Sequence, residues 1–213
     1  GQKIWTSGAQ HSDYGLLITR TDATVAKHKG LTMFFLDMKS PGVRIVPIKQ
    51  ANGNSEFNEV YFENVRIPDD QRVGGVGEGW RVAITTLMNE RMAIGGSIAT
   101  GFPEILEWAQ SAQLNGRPAL EDPNVKSKLA EWYVKAAGLK NNASRQITTL
   151  SKGGLPGPEN SMGKLVAGNM MQDIAKFALD LQGLSGVLVD PSVAEGAARF
   201  QAMLLRSPAV RIE

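Results

Sequence analysis

The stretch Phe62-Glu63-Asn64-Val65-Arg66-Ile67-Pro68-Asp69-Asp70-Gln71-Arg72-Val73-Gly74-Gly75-Val76-Gly77-Glu78-Gly79-Trp80 divides the chain. On its N-terminal side apolar residues gather in short, β-branched or alternating runs. On its C-terminal side they recur every third or fourth position. The first pattern is that of strands and the second that of helices with one face against a core. The change falls at Ile67-Pro68-Asp69-Asp70, and Gly74 to Gly79 make a glycine-rich link before the helical period opens at Trp80. The class this predicts is α+β: an antiparallel β region over residues 1–72, then an antiparallel four-helix bundle over 73–213.

Upstream, Tyr14 to Arg20, Leu31 to Met38, Val43 to Ile48 and Ser55 to Phe62 read as strands. Phe57, Val60 and Phe62 are the apolar candidates of the last. Gly1 to Thr6 reads like the middle of a strand pair. The chain does not begin with Met, and Ala209 to Glu213 carry no closing signal, so a piece of a longer protein is expected. Downstream, Trp80, Ile84, Leu87, Arg91, Ile94, Ile98, Phe102 and Ile105 form one stripe, which Pro103 should kink or restart. Asp122-Pro123 predicts an N-cap and first helical residue. The stripe that follows is Val125, Leu129, Trp132, Ala136, Leu139, Ala143, Ile147 and Leu150, ending at Lys152-Gly153-Gly154. A third helix carries Met162, Val166, Met170, Ile174, Phe177 and Leu181 and ends near Gly183; a shorter fourth runs from about Ser192 to Arg206.

Composition narrows the chemistry. Of 213 residues 42% are hydrophobic, enough for a sizeable core, and 23 Lys+Arg against 21 Asp+Glu leave a net charge of only +2. No basic stripe stands out, so no nucleic-acid partner is expected. Absence of cysteine excludes disulfides, thiolate zinc sites and cysteine nucleophiles. With His11 and His28 alone, and no ligand spacing around either, no metal is expected. No apolar run is long enough to span a bilayer, and a cytoplasmic setting fits.

Two clusters could carry chemistry. Trp5-Thr6-Ser7 reads either as a core-filling strand tryptophan followed by turn hydroxyls, or as a ring on which a planar ligand stacks beside hydroxyls that reach its ring nitrogens. Glu90-Arg91 lies on the first long helix. Arg91 falls on the apolar stripe, and a guanidinium buried there needs a partner. Glu90 borders a lane of small residues, Ala83, Thr86, Ala93, Ser97 and Gly101, with room for a ligand or another backbone. A solvated Glu beside an aliphatically packed Arg is the plainer alternative. Gly74 to Gly79 lacks the Lys-Ser/Thr of a phosphate-binding P-loop and has no βαβ context, so it reads as a flexible domain link.

Together these residues resemble the acyl-CoA dehydrogenases. Gly1-Gln2-Lys3-Ile4-Trp5-Thr6-Ser7-Gly8-Ala9 looks like that family's flavin-side strand, and Lys29-Gly30, Phe35-Leu36-Asp37 and Pro41-Gly42-Val43 like the next strands. Phe62 to Pro68 with Gly77-Glu78-Gly79-Trp80 resembles its hand-over from sheet to last helical domain, and Asn89-Glu90-Arg91 stands at the expected place on the first long helix. The resemblance implies FAD as cofactor and an acyl-CoA substrate. It implies electron-transfer flavoprotein or another acceptor as partner, and a homo- or hetero-oligomer, dimer or tetramer. It makes residues 1–72 the late part of a central β domain and 73–213 most of the C-terminal bundle. Trp5, Thr6 and Ser7 become cofactor-binding residues, with Trp5 flanking the flavin and Ser7 near N5. Glu90 becomes the base, as in those members that place it on this helix, and Arg91 the arginine beside it.

The chain also departs from the family. An Arg-x-x-Phe-Gly motif that reaches the partner subunit's FAD is replaced by Ala112-Gln113-Leu114-Asn115-Gly116. Asp180 stands where a Gln-x-x-Gly-Gly-x-Gly stretch has its amide. These changes imply a different grip on FAD, or a different kind of partner subunit, and keep open a rival reading as a non-catalytic structural subunit.

Overall fold

The computed structural model describes residues 1–95, 100–154 and 157–212, and the side chains of all of these except 91–95, 160 and 212. They form an α+β protein with small antiparallel sheets and a helical C-terminal region, grouped into two compact units, Gly1–Asn89 and Glu90–Glu213.

The first unit holds β1 (Gln2–Ser7), β2 (Tyr14–Arg20), β3 (Leu31–Asp37), β4 (Val43–Ile48), β5 (Phe57–Phe62) and the short β6 (Arg72–Val73). They make two antiparallel sheets, ordered β1-β5-β4 and β2-β3-β6. β2 and β4 coincide with the apolar runs. β5 starts only at Phe57, because Gln50 accepts from Gly53 N and its backbone N–H bonds Asn54 O, holding a turn ahead of the strand. Leu36 and Val60, 2% and 1% exposed, centre a small core with Ala9 and Met38, closed by Leu17, Ile45, Phe62 and Ile67.

The glycine link is tied to β3 rather than free. Gly77 N donates to Thr32 Oγ1 at 3.1 Å, and Thr32 is fully buried. A Cβ on Gly79 would stand 2.7 Å from the Thr32 Cα, so only glycine fits this approach of helix to strand. The Glu78 carboxylate accepts from Gly75 N at 2.8 Å and from Arg81 Nη2 at 2.9 Å. The Gly75 N–H first, then the Arg81 guanidinium, hold it below the usual carboxylate range.

Helix α1 (Gly79–Gly95) contains the boundary residues Asn89 and Glu90. Pro103 restarts the pattern as α2 (Phe102–Ser111), in whose first turn its missing N–H costs nothing. Then come α3 (Pro123–Ser151), α4 (Asn160–Gln182) and α5 (Arg199–Ile212). Asp122 caps α3 as the sequence predicts, accepting from Asn124 N at 2.8 Å and Val125 N at 3.1 Å. Asp122→Ala is expected to destabilise this unit by about 0.5–2 kcal/mol, read as a lower urea midpoint, with Asp122→Ser restoring most of it.

Helix α4 runs antiparallel to α3: Asn142 and Gln146 bond the Glu159 carbonyl at one end, while Trp132 reaches Asp173 at the other. The core joins Ile105, Trp108, Trp132, Ile174 and Phe200, and Met170 and Met171 pack as buried fillers. The stripe on α3 is buried only in its first half, at Val125, Leu129 and Trp132; Leu139, Ala143 and Leu150 are half-buried and Ile147 is 66% exposed. Helix α2, which packs on α3, is only ten residues long and spans about a third of it.

The fourth helix corrects the sequence reading. It begins at Arg199, not near Ser192, and continues past Arg206 to Ile212. Asp190 accepts from Ser192 N and Oγ and folds that segment into a turn. Gly196, Ala197 and Ala198 then take φ of 60°, 54° and 57°, outside the right-handed helix. At the far end Pro208 removes the N–H that would meet the Leu204 carbonyl, and Ser207 Oγ supplies the bond instead at 2.8 Å.

Candidate functional site

Trp5 does not fill the core. β1 and β5 pair Lys3 with Val60 and Thr6 with Asn58, so β1 carries one residue more than its partner between those pairs. This is a β-bulge, which bends a strand and re-aims a side chain. Trp5 absorbs it with φ 62°, a left-handed value rare for a bulky residue. The indole is 61% exposed and meets the Phe57 ring edge-on at 6.1 Å. Thr6 is half-buried beside it and Ser7 exposed at the strand end. A groove of about 410 Å³ runs past Thr6 and Ser7, walled by Ile4, Leu16, Leu36 and Phe62. Trp5 is not part of that groove's lining; its open ring face can stack a planar ligand, and the hydroxyls of Thr6 and Ser7 next to it in the strand can hydrogen-bond the ligand's edge.

Glu90 lies on α1 with its side chain exposed. Of the small lane, Ala83 and Thr86 are half-buried, and Thr86 Oγ1 bonds back to Val82 O at 3.0 Å. Ala93 and Arg91 are placed only as helical backbone. The expected burial and pairing of the Arg91 guanidinium, and Ser97, lie outside the described residues. On the described part of the stripe Trp80, Ile84 and Leu87 are 42%, 41% and 47% exposed. His28, around which the sequence shows no ligand spacing, stacks on Trp80 with ring centres 3.9 Å apart and 5° between planes.

The replaced positions build structure of their own. Ala112 ends α2 and its carbonyl accepts from Ala119 N at 2.9 Å. Asn115 and Gly116, with φ 51° and 76°, form a tight hairpin pairing Gln113 with Pro118 and Leu114 with Arg117. The Asn-Gly pair was its signal in the sequence. Asp180 is exposed on the last turn of α4, two residues before Gln182, a buried amide with no partner for its oxygen or nitrogen among the described residues. Neither an arginine nor an aromatic ring stands at these points. Asn58 and Gln10, which bond each other behind β1, were missed from sequence. The signal was a polar residue at a position of β5 whose neighbour on the same face, Val60, is core.

Residues 77–213 match the description "Acyl-CoA dehydrogenase, C-terminal domain", and residues 1–65 match "Acyl-CoA dehydrogenase, middle domain". The chain is 36% identical over 197 residues to acyl-CoA dehydrogenase FadE34 of Mycobacterium tuberculosis, covering 91% of this chain and 26% of that one. It is 32% identical to FadE29 of the same organism over 209 residues, covering 92% and 50%. Among solved structures, one titled "Tcur3481-Tcur3483 steroid ACAD" superposes with a TM-score of 0.82 at 27% identity, covering 99% of this chain and 54% of that one. The chain thus spans about half the length of FadE29 and about a quarter of FadE34. Among the described residues no helix is long and apolar enough to cross a membrane.

Proposed function

The chain belongs to the acyl-CoA dehydrogenase family, and we propose that it serves the flavin-dependent α,β-dehydrogenation of an acyl-CoA thioester, with residues 1–72 as β domain and 73–213 as bundle domain. The observation that supports this most is the Trp5 bulge: an exposed indole face beside Thr6 and Ser7 fits one side of a flavin ring. FAD, when bound, supplies a two-electron acceptor for the hydrogen lost from the β-carbon as hydride. The chain's own residues do the rest. Trp5 would cover a ring face and exclude water from it, and Thr6 and Ser7 would donate hydrogen bonds to its edge. Glu90, through a carboxylate oxygen, takes the α-proton, so that the α–β double bond forms as both hydrogens leave. Hydrogen bonds to the thioester oxygen stabilise the charge that develops there.

The pyrophosphate side fits less well, since Ala112, Asn115 and Asp180 offer neither a cation nor a stacking ring. These positions support a second reading, in which the chain acts within a hetero-oligomer, at the limit as its non-catalytic subunit. The two-component name of the steroid-type relative is in keeping with a hetero-oligomer. Electron-transfer flavoprotein as acceptor and a cytoplasmic setting complete the proposal.

The test is to purify the full-length protein with FAD and add acyl-CoA thioesters without oxygen. Bleaching of the flavin bands is expected. A protein that binds FAD and is bleached by no acyl-CoA sinks the dehydrogenase reading, and one that binds no FAD favours the structural subunit. For the 213-residue chain alone, FAD is expected to be lost on desalting. Three missing hydrogen bonds of about 1 kcal/mol each weaken binding on the order of a hundredfold. Recovery of one flavin per chain would show a self-sufficient site.

A further inference from the structure

β5 reads Phe57-Asn58-Glu59-Val60-Tyr61-Phe62, and its inward positions include Val60, at 1% exposure, and Asn58, at none. An amide on the core face of a strand is costly unless its polar atoms are used. Asn58 Nδ2 donates to the Thr6 carbonyl at 3.0 Å and to Gln10 Oε1. Gln10 Nε2 in turn donates to the Ser55 carbonyl at 2.7 Å, and Gly8 N to the Glu56 carbonyl at 2.8 Å. Asn58 Oδ1 is buried with no partner among the described residues, so what this amide contributes is its N–H₂. One bond ends on Thr6, which closes the Trp5 bulge, and the other on Gln10 in the turn that follows Ser7. A left-handed tryptophan persists only where its surroundings over-determine it, and within the ladder the bulge leaves β1 unpaired at Ile4 and Trp5.

We propose that buried Asn58 and half-buried Gln10 form an amide clamp that holds the Trp5 bulge and so positions Trp5, Thr6 and Ser7 for a planar cofactor. The cofactor half of this rests on the flavin reading above. Neither residue touches the ligand; both act through the Thr6 carbonyl and the turn after Ser7. The clamp explains why a core-facing position carries asparagine. It also explains how a strand end with few ladder bonds can present an exposed indole in one orientation.

Fluorotryptophan-labelled full-length protein gives a readout that needs no cofactor, with the Trp5 resonance assigned by Trp5→Phe. Asn58→Leu keeps the branched shape, at a larger volume, and removes the donor; Gln10→Leu removes the amide that bridges Asn58 to Ser55. Both are expected to displace or split the Trp5 signal while those of Trp108 and Trp132 stay in place. If Asn58→Leu unfolds the β unit, Gln10→Leu decides alone. In the FAD-loaded protein the same variants should shift the flavin bands and weaken FAD about fivefold, the loss of one positioning hydrogen bond. A Trp5 resonance that Gln10→Leu leaves unmoved, whatever Asn58→Leu does, overturns the clamp. A displaced Trp5 with unchanged flavin bands and affinity leaves the clamp standing and overturns the placing of flavin against Trp5.

Discussion

Glu90→Gln in the full-length protein is expected to lower acyl-CoA turnover by about a hundredfold to ten-thousandfold, the range a general base contributes. Glutamine keeps the shape of the side chain and removes its capacity to take the α-proton, so FAD content should not change. A carboxylate gains basicity when water is excluded from it. Glu90 is exposed, so on the proposal that it is the base, the acyl-CoA itself or a covering surface has to exclude the water at the moment of transfer. The loss should therefore fall on turnover with saturating substrate rather than on substrate affinity. Glu90→Asp, which retracts the carboxylate by one methylene, should fall between the two. Turnover is followed with an artificial electron acceptor. A glutamine variant that retains most of its activity places the base on another residue.

What the sequence made legible is what local chemistry decides. Pro103 restarts a helix, and Asp122-Pro123 starts one, through groups within a turn of themselves. The change of period between Phe62 and Trp80 separates strands from helices in the same way. The position of Trp5 is different in kind. Whether a strand tryptophan points inward depends on its register, and the register of β1 is set by β5, more than fifty residues away. A single extra residue turns the ring from core to surface. The start of α5 was lost for a similar reason. The left-handed residues Ala197 and Ala198 follow Glu195, whose carboxylate receives the Trp108 indole N–H at 2.7 Å from another helix. The stack of His28 on Trp80 likewise joins residues far apart in the chain. Asn58 is intermediate. Its place on the same strand face as Val60 is a local matter of alternation, but the partners that give its amide a task, Thr6 and Gln10, come from the other end of the β region.

Trp132→Ala is expected to destabilise the helical unit by about 3–5 kcal/mol, the cost of deleting a buried tryptophan. Against a total stability of about 5–15 kcal/mol that is a large share. Trp132 has no exposed surface and meets the Phe177 ring edge-on at 5.3 Å. Its Nε1 donates to Asp173 Oδ2 at 3.0 Å, and Lys128 Nζ lies 5.6 Å from the ring centre. Burial and hydrogen bonding can be told apart. The Asp173 side chain is 48% exposed, so water can replace the lost indole donor, and that bond should contribute only about 1 kcal/mol. Trp132→Phe removes the N–H but keeps most of the ring, and is expected to cost less than half of what alanine costs. The comparison is read from urea unfolding followed by far-UV circular dichroism. If phenylalanine and alanine cost the same, the hydrogen bond to Asp173 and not the packing against Phe177 holds α3 to α4. The hold of α4 on this α3 indole would then be electrostatic, and its strength should fall with added salt, which a packing contact would not show.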